Sequence, residues 1–445
     1  MAIIRNSRTL SALRTAGVLV AAGALAAACS SGGSGSSSST TSGGSSNTKV
    51  DNTLALAYTG GKAGAADSMA TPVKIGYVNQ QFGSPSFPEN TAGAALAVKY
   101  INKELGGVKG HPLELVSCYV STEEDGQKCG TQMLNDSSIH LVVTGTLTVG
   151  NDSLYKVLGG QKPIIIGNGL TATDFAQATA ETYMPGAPGT VSGMAKWLVD
   201  GGLGKIKTVA VVATNDAGAT ASAKILFAPP LEKAGITVKE VFIDPAAQGA
   251  DVASAVKAAG GGTADVFVPI TPVQGCIAVY DALKSLGIHP QVLTTGLCFG
   301  TPLIQHLGGT FPNNWYFGAY GVNYFVPPQK DVPASEELAA YQDVVKKYNP
   351  TMEYTGFAGP SFGNLLTITQ MYNKLGVDAS IPQLMDATKN FAGPQWGIPG
   401  PVACGKITPL FPAVCVGEMG IEQFKDGKWI PIADAYNGKM INAFG

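Results

Sequence analysis

Residues 139–173 read IHLVVTGTLTVGNDSLYKVLGGQKPIIIGNGLTAT. Two short apolar runs, 139–143 and 163–166, each open into a loop of glycines and hydroxyl- or amide-bearing residues. The first loop is Thr144-Gly145-Thr146-Leu147-Thr148-Val149-Gly150 and the second is Gly167-Asn168-Gly169-Leu170-Thr171. Between them, residues 153–158 read as a helix. Apolar runs separated by a helix predict strands of a parallel sheet buried on both faces. Ligands of such sheets sit beyond the carboxyl ends of the strands. Glycine there lets the backbone approach closely, and free N–H groups with Thr hydroxyls can hold a carboxylate. The loop pair therefore predicts a pocket that holds a small molecule.

Working outward, the alternation continues in both directions. Strands are expected at 73–78 and 113–117, with helices at 92–105 and around 127–134; Gly106-Gly107 ends the first of these. A loop at 79–88 carries Phe82 and Phe87. A second series begins after Pro185 and Pro188, with strands at 208–214, 238–243, 264–270 and 291–295. Helices are expected around them at 191–199, 219–234, 252–259 and 276–286. From residue 314 the pattern changes to an aromatic strand at 315–320, a Pro-rich crossing at 324–333, and helices at 336–348 and 361–375. Asp426-Gly427 between 421–425 and 428–432 is the preferred pair for a two-residue hairpin turn. The class is α/β, with each of two lobes expected as a parallel sheet flanked by helices.

The net charge of −2 and 13% charged residues leave no basic field for nucleic acid. Of seven Cys, one is Cys29; the other six are Cys118, Cys129, Cys276, Cys298, Cys404 and Cys415. An even number in an exported chain implies disulfides. Nearest-neighbour pairing, Cys118–Cys129, Cys276–Cys298 and Cys404–Cys415, is the expected set, each bridge clipping a local excursion. The competing metal reading finds no C-x-x-C and no His at ligand spacing.

The first 28 residues read as a signal peptide: Arg5, Arg8 and Arg14 precede an apolar stretch at 16–28, shorter than the roughly 20 residues a membrane span needs. Leu25-Ala26-Ala27-Ala28-Cys29 resembles a bacterial lipobox, whose Cys is lipidated after cleavage. The usual Leu stands three residues before the Cys; here Ala26 holds that place and Leu25 stands one further back. An ordinary secretory signal is the other reading. Residues 30–46 are only Ser, Gly and Thr. Taken as a flexible tether over 29–71, this chain of roughly 40 residues reaches about 35 Å.

Signal, Cys29, tether and two successive α/β lobes resemble a solute-binding lipoprotein of an ABC importer. More narrowly, the order of elements is similar to the branched-chain amino-acid binding family, with its type I periplasmic-binding fold. Val73-Lys74-Ile75-Gly76, Gly93-Ala94-Ala95, Ile101-Asn102 and Gly106-Gly107-Val108-Lys109-Gly110 carry the resemblance, which covers residues 72–432. It implies lobe 1 from 72–187 plus 328–391 and lobe 2 from 188–327 plus 392–445, with the ligand cleft between. Crossing segments near 185–189, 324–333 and 391–400 would be hinges. The loops that hold the ligand's α-carboxylate and α-amino groups in that family correspond to Thr148, Gly169 and Thr171. The aromatic of the first loop corresponds to Phe87, with Phe82 the alternative. The second lobe departs from the pattern: the two aromatic positions fall near Ala217 and Pro272, and the acidic position near Gly296. Asp216 is then the candidate for a ligand's positive charge and Gln274 for an amide or hydroxyl. Thr148 and Thr171 also suit plain loop and helix-cap roles, and Asp216 a surface turn.

The resemblance implies a small-molecule ligand, permease partners of an ABC importer, attachment to the outer face of the membrane through lipid on Cys29, a monomer, and no cofactor or metal. A sensor reporting to a membrane receptor or kinase needs the same closing cleft and stays open as a reading. Catalysis is not expected. Residues 167–172 fit G-x-G-x-x-A, but no strand ending in an acid follows, and no Walker A, H-E-x-x-H or nucleophile elbow is present. The run Glu123-Glu124-Asp125 is expected as a solvated loop.

Overall fold

In a computed structural model, which describes residues 50–445, the strand and helix alternation forms two separate sheets. The first contains β1 (Val73–Asn79), β2 (Leu113–Tyr119), β3 (Ile139–Thr144), β4 (Ile164–Ile165) and β5 (Ala180–Glu181), in the order β2-β1-β3-β4-β5. All its neighbours are parallel, with Val73 opposite Leu113 and Val143 opposite Ile165. Its inner strands β1, β3 and β4 are buried almost throughout and read as mainly apolar because both faces are covered, whereas edge strand β2 is half-exposed. Ile75, Tyr77, Leu141 and Val143 pack one way towards Phe362 and Leu365; Val78, Val142 and Ile164 pack the other way with Met133 and Leu154.

The second sheet contains β6 (Thr208–Thr214), β7 (Thr237–Ile243), β8 (Val266–Ile270), β9 (Gln291–Thr295), β10 (Trp315–Ala319), β11 (Glu418–Lys425) and β12 (Lys428–Ala433). Its order is β12-β11-β10-β9-β8-β6-β7, and the short β13 (Ile441–Asn442) pairs with β11. From β7 to β10 the strands are parallel; β11 and β12 are antiparallel to their neighbours. The expected all-parallel second lobe is thus corrected to a mixed sheet, because the hairpin adds to its edge. Asp426 and Gly427 form the turn with φ of 50° and 76°, the double positive φ that a tight hairpin requires.

Helix starts follow local chemistry. Thr122 caps Glu123–Asn135 in a reciprocal box with Asp125. The acidic run expected as a solvated loop is therefore the first turn of this helix, where negative charge meets the helix dipole. Glu123 also caps the neighbouring helix Asn151–Leu158, accepting from Gly150 N at 2.8 Å and Ser153 N at 2.7 Å. The expected helix at 219–234 is continuous from Ala217 to Lys233, but Ser222–Phe227 within it is π-helical. Pro229 and Pro230 lack the N–H groups that the ordinary ladder needs next.

Several boundaries differ from expectation. Residues 50–71, counted as tether, are not free chain: helix Thr53–Thr59 buries Ala55 and Thr59 against the first lobe. Tyr58 bonds Thr367 at 2.6 Å and donates to Pro394 O at 3.1 Å. Trp396, Ile398, Val402, Cys404 and Val416 belong to the core of the first lobe, although 392–445 was expected in the second. The chain passes between the sheets three times: after β5, after β10, and between helix Ile381–Lys389 and β11. All three expected disulfides form, with Cα–Cα separations of 5.5, 5.8 and 4.1 Å in chain order. The expected signal peptide, Cys29 and the Ser/Gly tether lie outside the described residues.

Candidate functional site

A cavity lies between the two sheets. Its walls come from loops that follow strands of both: Phe87 after β1, Thr148 after β3, Asn168 after β4, Asp216 after β6, Thr271 after β8 and Gly296 after β9. This is where a parallel sheet presents its helix N-termini and loop backbone to a ligand. Thr190, in the helix Gly186–Val199 that starts just past the first crossing, completes the wall. A Cβ placed on Gly218 of the second lobe would lie 3.3 Å from Leu170 Cβ and 3.4 Å from Thr148 Cγ2 of the first. The lobes therefore already approach each other across the cleft.

The lining is mainly apolar, which suits a ligand with an apolar body. Phe87 is 5% exposed and packs on Phe357 at 5.8 Å between ring centroids; Tyr320 stacks on the same Phe357 at 5.9 Å. Burial pushes the Tyr320 hydroxyl well above the usual phenol range, so it stays a neutral donor. Phe82, the alternative aromatic, is 61% exposed and rests on Tyr119 instead.

Thr148 lines the cavity, but its N–H and its hydroxyl both donate to Gln80 Oε1, at 2.7 and 2.9 Å. Gln80 in turn donates to Pro85 O at 2.6 Å. The Thr148 oxygen is left able only to accept from a ligand. Thr171 and Gly169 are not among the lining residues. Thr171 caps the short helix Ala172–Phe175 and accepts from Asn151 Nδ2 at 2.6 Å. Asp174 beneath it accepts from Asn151, Tyr155, Leu170 N and Thr171 N, a network that fixes the loop from behind. Gly169 meets Gly186: its carbonyl accepts from Ala187 N at 2.8 Å. Gln274 is exposed in the first turn of helix Val273–Leu286, away from the cavity. Its neighbour Pro272 lines the wall instead.

Asp216 lines the cavity and caps helix Ala217–Ala221, accepting from Ala219 N at 3.0 Å and from Thr214 Oγ1 at 2.5 Å. It is the sole carboxylate among the lining residues, and no Lys is among them. None of the described residues is an Arg, so no guanidinium among them can clamp an anion here. An anionic head facing Asp216 would be opposed; an ammonium, amide or hydroxyl would be received.

Two residues that the sequence reading passed over carry the most information. Asn168 is 2% exposed and lines the cavity, yet neither its amide oxygen nor its amide nitrogen has a partner in the protein. Thr190 is 4% exposed, lines the same cavity, and its hydroxyl is equally unpartnered. Leaving such groups buried and unmade costs about 1–3 kcal/mol each unless something bonds them. Asn168 was visible as the amide within Gly167-Asn168-Gly169. Thr190 carried no signal, because only the packing of its helix turns it inward.

No curated protein matches the chain by sequence. Solved structures share the fold at low identity. The leucine-binding protein LivK of Thermotoga maritima aligns with a TM-score of 0.63 at 14% identity, over 83% of this chain and 99% of its own. The fatty acid ABC transporter substrate-binding protein of Thermomonospora curvata gives 0.64 at 17%, over 87% and 99%. An ABC transporter solute-binding protein of R. palustris, in complex with benzoate, gives 0.62 at 13%, over 82% and 96%. The two-sheet α/β architecture is that of type I periplasmic binding proteins. The family model for periplasmic binding proteins matches residues 72–403, and the chain belongs to that family.

Proposed function

We propose that this chain captures a small ligand with an apolar body and a hydrogen-bonding head, and delivers it to an ABC importer outside the cytoplasm, tethered through lipid on Cys29. The observation that carries this reading is the pair of buried, unpartnered polar side chains, Asn168 and Thr190, in an otherwise apolar cavity between the sheets. A bound head group supplies the missing partners, and Asp216 takes a donor from it. Amino acids and primary amides both meet that description. Solved structures of the same fold, described as binding leucine, fatty acid or benzoate, support a ligand with an apolar body. Binding closes the lobes around the three crossings, and the closed form is what the permease reads.

The test is thermal unfolding of an oxidised chain starting at residue 50, alone and with branched amino acids, their amides, and the matching carboxylates. Ligand at 100 times its dissociation constant adds about 2.7 kcal/mol, a shift of about 3 °C for a chain of roughly 400 residues. Asp216→Asn keeps the helix cap, since Asn caps as well as Asp. It should leave the melting temperature of the free protein unchanged and weaken ammonium-bearing ligands about tenfold to hundredfold. Neutral amides should weaken less, since the variant's amide oxygen still accepts their N–H. A cavity that responds to no member of the panel, or best to plain carboxylates, refutes the reading of the head site.

A further inference from the structure

The ligand cavity has a neighbour. A second space sits where the crossing segments at 320–324 and 396–398 run between the lobes. Its walls are Phe299, Val322, Leu338, Tyr341 and Ile398, with Trp396 among them. The Trp396 indole N–H is buried and unpartnered. The two spaces share two wall residues, Gly296 and Tyr320.

Gly296 opens the short 3-10 turn after β9, and its conformation is one that any residue can adopt. A Cβ built on it would lie 3.2 Å from the Gly318 carbonyl oxygen, 3.5 Å from Tyr320 Cε1 and 3.7 Å from Phe299 Cδ2. Tyr320 borders both spaces and Phe299 borders the second, so a side chain at 296 would project into the place where they meet. The unpartnered Asn168 amide and Thr190 hydroxyl, and the Asp216 carboxylate, line the first space alone. The second space has no charged residue among its walls.

We propose that the two spaces form one binding site for an amphiphile: an amine or amide head bonded by Asn168, Thr190 and Asp216, and an extended apolar tail that passes Gly296 into the chamber at the crossings. This rests on the solute-binding reading above and names the ligand class. The buried, unpartnered Asn168 amide and Thr190 hydroxyl set the head end, since the second chamber offers a head group the Trp396 indole N–H and tyrosine hydroxyls but no amide and no carboxylate left without partners. The site therefore selects for tail length beyond an ordinary amino-acid side chain. Because the tail chamber is built from the crossings, a long ligand fills the hinge region as well as the cleft.

The experiment is calorimetric titration of the oxidised wild-type chain with straight-chain primary amides, from butanamide to dodecanamide, each below its aggregation concentration. Each methylene that enters an apolar wall should tighten binding about fourfold, so affinity should climb through the whole series. Gly296→Val should lose the gain from length; because Gly296 also lines the first cavity, the short amides are compared in Leu338→Phe, whose position lies outside that cavity. Leu338→Phe fills the far chamber from the opposite side and should have the same effect without touching the junction. A plateau at short chain length in the wild type, with short amides still binding, overturns the tail chamber and leaves solute binding intact. Equal weakening of short and long amides by Leu338→Phe also overturns it. Failure of every amide to bind overturns the head site and the tail chamber together.

Discussion

Replacing both Cys276 and Cys298 by Ala should destabilise the protein by an amount that follows from where the bridge sits. Cys276 lies in the first turn of helix Val273–Leu286, and Cys298 ends the turn Gly296–Cys298. Both are fully buried, and their sequence separation is 22. Opening a loop of that length frees the unfolded chain by about 3.4 kcal/mol at 25 °C in the loop-entropy treatment. The same treatment gives about 2.8 kcal/mol for the Cys404–Cys415 loop, whose separation is 11. A chain of roughly 400 residues melting as one unit should lose about 4 °C, and about twice that if the second lobe melts alone. The bridge also ties the Thr271-Pro272 wall of the cavity to the Gly296-Leu297 wall. Ligand affinity should fall along with stability, since an unfixed wall must be ordered on binding. Differential scanning calorimetry of oxidised wild type, Cys276→Ala/Cys298→Ala and Cys404→Ala/Cys415→Ala reads the stability part. A melting point within about 1 °C of wild type for the first variant, or a larger loss for the second, would refute the argument from loop length.

Two further outcomes test the fold. A Cβ on Gly93 would lie 2.0 Å from the Ala358 carbonyl oxygen, where helices Pro88–Glu104 and Ala358–Leu375 touch. Gly93→Ala should therefore cost about 1–3 kcal/mol in urea unfolding; an unchanged midpoint would mean the helices are not in that contact. Burial, then repulsion from Asp434, pushes the Glu422 carboxyl up to about 8, although Asn323 of the second crossing donates to it. The folded state keeps this proton to higher pH than the unfolded chain, so its contribution is full below about pH 4 and falls as pH rises towards about 8. Glu422→Gln should remove a slope on the order of 1.4 kcal/mol per pH unit from the stability profile across that window. Parallel profiles for variant and wild type would show that Glu422 is ionised in the fold.

The sequence by itself determined what depends on near neighbours. Strands 139–143 and 208–214 were legible because a strand covered on both faces must be apolar throughout. Asp426-Gly427 announced its turn because positive φ is a property of those two residues. The three disulfides followed from proximity along the chain, and the cleft from loops that close parallel strands. Tertiary structure decided where each loop side chain points. Thr171 reads the same as a ligand donor or a helix cap, and only Asn151 and Asp174, packed beside it, settle it as a cap. Gln274 and Pro272 differ by two positions, yet the start of a helix between them sends one to solvent and the other to the cavity wall. Helix Thr53–Thr59 gains its stability from packing against Thr367, Gln370 and Asn373, more than 300 residues away, which no local pattern encodes. The missing partners of Asn168 and Thr190 belong to the same class. A polar side chain becomes an orphan only when distant elements close over it, so the most telling feature of the site exists only in the folded chain.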